Sequence, residues 1–266
     1  RKTKWILWYN MINENLKKVI PPHSEDFKIS MNKEVGNLAS EIFNWLDKNK
    51  KIKPSHKHKN ITYRWAFGSS GYNCLNYIYD NLPENYSDLF RDKIIEHFGL
   101  DKLYLNEIKF ERIGVNSELD DAHLKRTRFG DLKTQKNDDL SKNYNDEIFY
   151  SLIWHTDKTF ELNNYKILIY LNDVDENQGG LIVTNPVISP KRIDGKCQLF
   201  EDRLSVPIEE LKFKEVIGEL GTMASFNSHI LHRANLPKQG FRKCLHLSFL
   251  LPGEEYRHEK YSNNHF

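Results

Sequence analysis

The sequence of 266 residues predicts one mainly β domain, an antiparallel barrel or sandwich that is preceded and covered by helices. Three observations predict this class. Apolar residues recur at helical spacing in the first hundred residues, apolar and polar residues alternate in later segments, and Gly and Pro residues separate those segments. Within a single domain (1–266) we therefore expect a mainly helical part (1–100), a β core (101–250) and a tail (251–266).

The helical part contains three predicted helices. Residues 35–46 (VGNLASEIFNWL) and 87–98 (SDLFRDKIIEHF) place apolar side chains three or four positions apart, and residues 72–82 are a third candidate. Ser87 is the predicted N-cap of the 87–98 helix, and Gly99 is its predicted stop. Such helices can cover one face of a sheet.

The β core begins with residues 103–113 (LYLNEIKFERI), in which apolar and polar side chains alternate. Further strands are predicted at 148–155, 165–171, 180–185, 197–199, 221–227 and 241–250. Between the first two strands, residues 117–146 are charged and poor in apolar side chains. A connection of this length is usually a functional lid or disordered, and we interpret it as a lid-like loop.

Composition and charge exclude several function classes. Lys and Arg total 39 and Asp and Glu total 37, so no nucleic-acid partner is expected, and the basic run 48–59 is interpreted as a solvated loop. The three cysteines lie far apart without a CxxC pair, which favours a reducing, cytoplasmic compartment. No apolar run reaches the roughly 18 residues of a membrane span. The start (RKTKWILWYNMI) is too short and too polar for the apolar region of a signal peptide. Its first residue is not Met, which is compatible with further residues upstream. The oligomeric state is not indicated.

The triplet His155-Thr156-Asp157 gives the first chemical signal. Residues two apart on a strand point to the same face, so the imidazole of His155 and the carboxylate of Asp157 can reach one point. His232, just before the last predicted strand, is the expected third ligand. Two histidines and one carboxylate on one face of an octahedron leave open positions, which suits an iron(II) oxygenase. An HxD triplet alone is weak evidence, because it occurs often by chance.

Arg242 makes this ligand pattern stronger evidence for an oxygenase, because it follows His232 by ten residues at the start of a strongly alternating strand. One face of that strand carries Leu245, Leu247 and Phe249, and the other carries Arg242, Cys244, His246 and Ser248. Either the polar face is solvated, or it lines a cavity inside a barrel whose outer face is covered by helices. The predicted helices favour the second arrangement. An inward guanidinium suits a dicarboxylate, because its planar fork binds a carboxylate with two parallel hydrogen bonds.

Three segments together resemble the 2-oxoglutarate- and iron(II)-dependent dioxygenases, most closely the branch similar to phytanoyl-CoA hydroxylase. They are WHTD (154–157), IYLNDVDENQGGLIVTNP (169–186) and GELGTMASFNSHILHRANLPKQGFRKCLHLSF (218–249). The combination is more specific than any one segment. It implies a double-stranded β-helix, which is also called a jelly roll or cupin-like barrel.

By position, the resemblance implies that His155, Asp157 and His232 bind Fe(II) and that Arg242 binds the distal carboxylate of 2-oxoglutarate. The implied reaction consumes O2, hydroxylates a C–H bond of a small metabolite or carrier-bound intermediate, and releases succinate and CO2. His229 is an alternative to His232. Three residues separate the two, so an extended chain points them to opposite faces, and the spacing to Arg242 favours His232.

Three positions depart from related branches and limit what can be transferred. Asp157 stands where related halogenases carry Ala or Gly, which favours hydroxylation. Ser248 stands where nucleic-acid demethylases usually carry a second Arg, which argues against a nucleic-acid substrate. Residues 185–189 (NPVIS) replace a PGSH-like turn that borders the substrate in relatives, so the substrate cannot be inferred.

Four further residues are candidates for substrate or co-substrate contact. Lys166 and Tyr170 share a face of the 165–171 strand with Leu168, and His246 and Ser248 lie on the Arg242 face. The alternative for Lys166 is an edge strand with its ammonium in solvent. The alternative for His246 is a histidine with its hydrogen bonds satisfied inside the protein.

Two other functions remain open from the sequence. One is a cupin-like metal-dependent isomerase or hydrolase that does not use 2-oxoglutarate. The other is a binding barrel without catalysis. Arg242 separates the isomerase or hydrolase from an oxygenase, because such enzymes do not need an inward arginine at this spacing. The intact set of three metal ligands together with Arg242 argues against the binding barrel.

Overall fold

The computed structural model describes residues 27–49, 53–54, 56–58, 62–67, 82–89, 105–115, 164–184, 212–227 and 230–250. The elements are β1 (Phe27–Met31), α1 (Lys33–Lys48), β2 (His56–His58), β3 (Thr62–Phe67), α2 (Glu84–Leu89), β4 (Leu105–Gly114), β5 (Asn164–Tyr170), β6 (Leu181–Thr184), β7 (Phe213–Val216), β8 (Thr222–Asn227), β9 (His232–Ala234) and β10 (Phe241–Leu250). The predicted strands at 148–155 and 197–199 and the predicted lid at 117–146 lie outside the described residues, as does nearly all of the predicted helix at 72–82.

The described strands form two antiparallel sheets. The larger has seven strands in the order β1-β8-β5-β10-β4-β3-β2, and the smaller has three in the order β7-β6-β9. A buried apolar cluster joins them, because it combines Leu168 and Phe226 of the larger sheet with Val183 and Val216 of the smaller one. We call the side of each sheet that faces this cluster the inner face. The mainly β class is confirmed.

Helix α1 covers the outer face of the larger sheet, as the alternation in β10 predicts. Asn32 caps the helix by accepting a hydrogen bond from Val35 N at 3.1 Å. The ring of Phe43 meets Trp65 of β3 edge to face, with centroids 5.4 Å apart. Lys243 of β10 lies 4.7 Å above the Phe43 ring. The outward leucines of β10 are fully buried, since Leu245 and Leu247 are both 0 % exposed.

A small residue allows this close packing. A Cβ atom on Gly36 of α1 would lie only 2.5 Å from the Cα of Gly221, which precedes β8. A substitution at Gly36 therefore forces the helix and the sheet apart. None of the helices in the described ranges is long and apolar enough to cross a membrane.

The structure corrects one boundary and adds strands. Helix α2 begins at Glu84, so Ser87 lies inside it and is not its N-cap. Pro83 precedes the first helical residue, and its fixed φ angle suits the start of a helix. The expectation of a mainly helical first hundred residues did not include β1, β2 and β3. Strand β1 pairs with β8, which lies almost two hundred residues away in the sequence.

Candidate functional site

The inner face of the larger sheet carries a set of polar side chains on β10. Residues directly opposite each other in antiparallel strands share a face. The strand register therefore groups the inward side chains into rows that run across the sheet. The first row contains Phe226, Lys166 and Ser248; the second contains Ala224, Leu168, His246 and Lys109; the third contains Tyr170, Cys244, Glu111 and Arg64; the fourth contains Arg242 and Ile113. Leu168, Tyr170, Ala224, Phe226 and Cys244 belong to the cluster between the sheets. The polar face of β10 therefore points inward, as predicted.

His232 projects from the smaller sheet toward the first row. It lies opposite Val183 of β6, an inward residue, and its ring centroid is 4.9 Å from that of Phe226. Its Nδ1 atom lies 2.8 Å from the carbonyl oxygen of Ile230. Because a carbonyl only accepts, this contact assigns the proton to Nδ1 and makes Nε2 the nitrogen with the lone pair. This arrangement is common for histidines that bind metals.

Arg242 is 1 % exposed and lies at the opposite end of the inner face. Its Nη1 donates a hydrogen bond to the carbonyl oxygen of Gly179. Its Nε is buried without a hydrogen-bond partner, and no carboxylate pairs with Arg242 within the described part of the chain. Its charge lowers the pKa of the neighbouring Cys244 and Tyr170, although burial raises both more strongly. The guanidinium is therefore directed along the inner face toward the third row.

A tight turn between β5 and β6 holds the partner of Arg242 in place. Gly179 has φ 71°, and a Cβ there would lie 2.6 Å from the carbonyl oxygen of Asn235. Asn172 fixes the start of β10 on both sides of Arg242: its Oδ1 accepts from Lys243 N at 2.6 Å and its Nδ2 donates to the Phe241 carbonyl at 3.1 Å. Sequence reasoning did not assign roles to Asn172 and Gly179, although both lie in the segment that carried the resemblance.

A second polar group in the third row involves residues that sequence reasoning missed. Arg64 donates to one oxygen of Glu111 through Nε at 2.9 Å and Nη2 at 2.5 Å. The other oxygen of Glu111 lies 3.3 Å from Nε2 of His246, which is also 3.2 Å from the Cys244 sulfur. Strand β4 was predicted from alternating apolar and polar residues, which was the available signal for Glu111; nothing comparable pointed to Arg64.

The ionisation states within this group follow from burial and from Arg64. Burial alone would raise the pKa of Glu111, but Arg64 and His246 outweigh it and hold that pKa well below its usual range. Burial lowers the pKa of His246 to about 4, although Glu111 acts in the opposite direction. Burial raises the pKa of the Cys244 thiol to about 12. At neutral pH the group therefore contains a carboxylate, a neutral imidazole and a protonated thiol.

The remaining candidates have different surroundings. The hydroxyl of Tyr170 donates to the Val216 carbonyl at 2.6 Å and accepts from Leu181 N at 2.9 Å, so it connects the two sheets. Ser248 is buried on the inner face, and Lys166 lies opposite it, half-buried. His155, Asp157 and His229 lie outside the described residues. The structure thus brings His232, Arg242, His246 and Ser248 to the space between the sheets.

Comparisons with known proteins give structural neighbours only. No family model matches the chain, and no curated protein matches its sequence. The epimerase SnoN, solved with Fe3+, α-ketoglutarate and nogalamycin RO, is similar with a TM-score of 0.53 and 9% identity over 90% of this chain and 84% of SnoN. AviO1 from Streptomyces viridochromogenes Tue57 is similar with a TM-score of 0.50 and 9% identity over 86% of this chain and 91% of AviO1. EvdMO1 is similar with a TM-score of 0.50 and 9% identity over 91% of this chain and 50% of EvdMO1.

At this identity the similarity concerns the fold. The described sheets and their antiparallel order agree with a mainly β enzyme scaffold that, in SnoN, holds iron and α-ketoglutarate. The chain shares the fold of an iron- and α-ketoglutarate-binding enzyme.

Proposed function

We propose that this protein is an iron(II)- and 2-oxoglutarate-dependent oxygenase. Arg242 carries the proposal. A buried guanidinium is costly unless an anion neutralises it, and within the described residues no carboxylate does so. Gly179 O accepts from only one of its nitrogens, and the buried Nε remains without a partner. The distal carboxylate of 2-oxoglutarate supplies the missing charge and acceptor.

The donor set fits a metal at the other end of the inner face. His232 is held by its Nδ1–H contact with Ile230 O, so Nε2 is the nitrogen for the metal. We propose that His155 and Asp157 complete the set and that their strand closes the two described sheets into a double-stranded β-helix. Two imidazoles and one carboxylate suit iron(II) and leave positions for a chelating keto acid.

The iron, 2-oxoglutarate and O2 together supply the oxidation of a C–H bond, with release of succinate and CO2. The chain supplies position and a dry environment. His232 fixes the metal end, Arg242 fixes the far end of the co-substrate, and the apolar cluster around Phe226 excludes water from the space between them.

The finer features of the proposal are the outcome and the substrate. We propose hydroxylation of a small molecule or a carrier-bound intermediate by a protein similar to the phytanoyl-CoA hydroxylase branch. SnoN was solved with nogalamycin RO, which makes a small organic substrate reasonable here. A cytoplasmic location is consistent with the buried free thiol of Cys244.

Stepwise binding under nitrogen tests the proposal. We expect the protein to bind one Fe(II), and to bind 2-oxoglutarate tightly only after the metal is present. A cupin-like isomerase or hydrolase would bind the metal without the keto acid, and a binding barrel would bind neither. Subsequent exposure to O2 should release succinate, and a screen of candidate substrates should identify compounds that accelerate this release. Metal binding without 2-oxoglutarate binding would reject the oxygenase.

A further inference from the structure

His246 is the accessible member of the polar row on β10. Its side chain is 19% exposed, whereas Arg242, Cys244 and Ser248 on the same face are buried. Its Nε2 atom is directed to Glu111 and to the Cys244 sulfur. Within the described ranges its Nδ1 atom makes no hydrogen bond. One nitrogen of the ring is therefore engaged inside the protein, and the other can meet a ligand.

Glu111 determines which nitrogen of His246 carries the proton. Arg64 donates to one oxygen of Glu111 through both Nε and Nη2, so the carboxylate is ionised and its second oxygen can only accept. The neutral imidazole therefore donates through Nε2–H, and Nδ1 keeps its lone pair. Arg64 and Glu111 act as positioning residues for this tautomer.

His246 lies near the proposed metal end of the inner face. Its row follows directly after the row of Phe226, but β10 lies two strands across the sheet from β8, so the two residues are roughly 12 Å apart. The Phe226 ring contacts that of His232, the proposed metal ligand. A group held at Nδ1 would thus lie on the same inner face as the proposed metal.

The surrounding charges restrict the chemistry of that group. Lys109 and Lys166 are close enough to His246 to lower its pKa, so a substrate ammonium would be repelled. An anionic group such as a carboxylate would be attracted by these lysines, but it has no hydrogen to donate to the lone pair of Nδ1. A neutral donor remains, and among neutral donors a hydroxyl group fits an imidazole acceptor well.

We propose that Nδ1 of His246 accepts a hydrogen bond from a neutral hydroxyl group of the substrate, in a tautomer fixed by Glu111 and Arg64. This inference rests on the proposed oxygenase function. It identifies the substrate class as an uncharged, hydroxyl-bearing small molecule, and it makes His246 a specificity-determining residue.

The same three residues could be interpreted as a metal site, because the ligand atoms of Glu111, Cys244 and His246 lie within 4.8 Å of one another. One observation opposes this: Arg64 already pairs with Glu111 and neutralises its charge. Cobalt(II) added beyond one equivalent should produce no thiolate-to-cobalt absorption; its appearance would overturn the proposal.

The tautomer is measured directly by 15N NMR of the histidine-labelled full chain, loaded with Zn(II) in place of iron and with 2-oxoglutarate. At neutral pH the His246 resonances should show a protonated Nε2 and an unprotonated Nδ1. In Glu111→Gln the two tautomers should mix, a change that a purely structural role would not produce. A protonated Nδ1 in the wild-type protein would overturn the inference and would leave the Arg242 test of the oxygenase intact.

Matched probes test the ligand class. Butan-1-ol should shift the Nδ1 resonance of His246, whereas butyl methyl ether, which lacks the donor, should not. Butylammonium and butanoate should bind more weakly than the alcohol. His246→Asn keeps an acceptor oxygen at the Nδ1 position and should retain alcohol binding, and His246→Leu should lose about tenfold in affinity, the value of one neutral hydrogen bond. Tighter binding of either ion, or no response to the alcohol up to its solubility limit, refutes the proposed substrate class.

Discussion

Replacing Arg242 by alanine tests the charge argument most directly. The side chain is 1 % exposed, and its Nη1 donates to the backbone carbonyl of Gly179. A bound carboxylate would use the remaining donors, including the buried Nε. Removing one partner of such a buried charge pair costs about 2–5 kcal/mol, so the dissociation constant of 2-oxoglutarate should rise about 30- to 5000-fold. The affinity for the metal should be retained, because Arg242 is not a proposed ligand.

Two variants serve as controls for this measurement. Arg242→Lys should recover only part of the loss, because an ammonium cannot form the two parallel hydrogen bonds of the guanidinium fork. Arg112→Ala removes an arginine of similar length from the outer face of the same strand pair, where it lies 4.6 Å above the Phe241 ring. That variant should leave 2-oxoglutarate binding unchanged.

The assay is calorimetric titration of 2-oxoglutarate into Fe(II)-loaded protein under nitrogen. Urea unfolding must accompany it, because Arg242→Ala also leaves the Gly179 carbonyl without its donor, at a cost of about 1–3 kcal/mol. Circular dichroism identifies the variants that remain folded at the temperature of the titration. An unchanged dissociation constant in folded Arg242→Ala would refute the assignment of Arg242 to the co-substrate.

Four further outcomes are expected. His232→Ala should lose Fe(II) binding while the circular dichroism spectrum is retained, and metal retained at full occupancy would contradict the ligand assignment. Deletion of residues 125–137 from the predicted lid should impair substrate-stimulated succinate release more than stability; unchanged stimulation would reject the lid. Tyr170→Phe leaves two buried backbone groups without a partner, and about 1–3 kcal/mol per group should be lost in urea unfolding. The unfolding free energy should decrease as pH falls from about 6.5 toward 4, because the pKa of His246 is about 4 in the folded state and near 6.5 when unfolded, so the unfolded state binds the proton first. If the unfolding free energy of His246→Asn depends on pH in the same way, the effect does not come from His246.

Features that depend on local periodicity were predicted well. The alternation in 241–250 gave the bounds of β10 (Phe241–Leu250) and the inward direction of Arg242, because the side-chain period of a strand is two wherever the strand lies. Helix α1 was found from its apolar spacing, since that spacing is also local. Helix α1 lies over the outer face of this sheet, where Leu245 and Leu247 are buried.

Features that depend on register between distant segments were not predictable. Glu111 is paired with Arg64 across 47 residues of sequence, and the pairing exists only because β3 and β4 are neighbours in one register. Strand β1 (FKISM) alternates apolar and polar residues over only five positions, and its place in the sheet comes from pairing with the distant β8. The hydroxyl of Tyr170 was predicted to face the inner space, but its two backbone partners belong to the smaller sheet and could not be inferred from its own strand.

The two buried arginines of the inner face show why geometry is more informative here than composition. Arg64 and Arg242 are both largely removed from water, and burying either charge is costly. The fold supplies a carboxylate for Arg64 through Glu111, and this pairing helps to hold the pKa of Glu111 well below its usual range. For Arg242 it supplies a backbone carbonyl and, within the described residues, no carboxylate. If burial alone explained Arg242, the chain would be expected to neutralise it as it neutralises Arg64. The difference between the two sites therefore favours a ligand anion at Arg242, which is the role proposed for the distal carboxylate of 2-oxoglutarate.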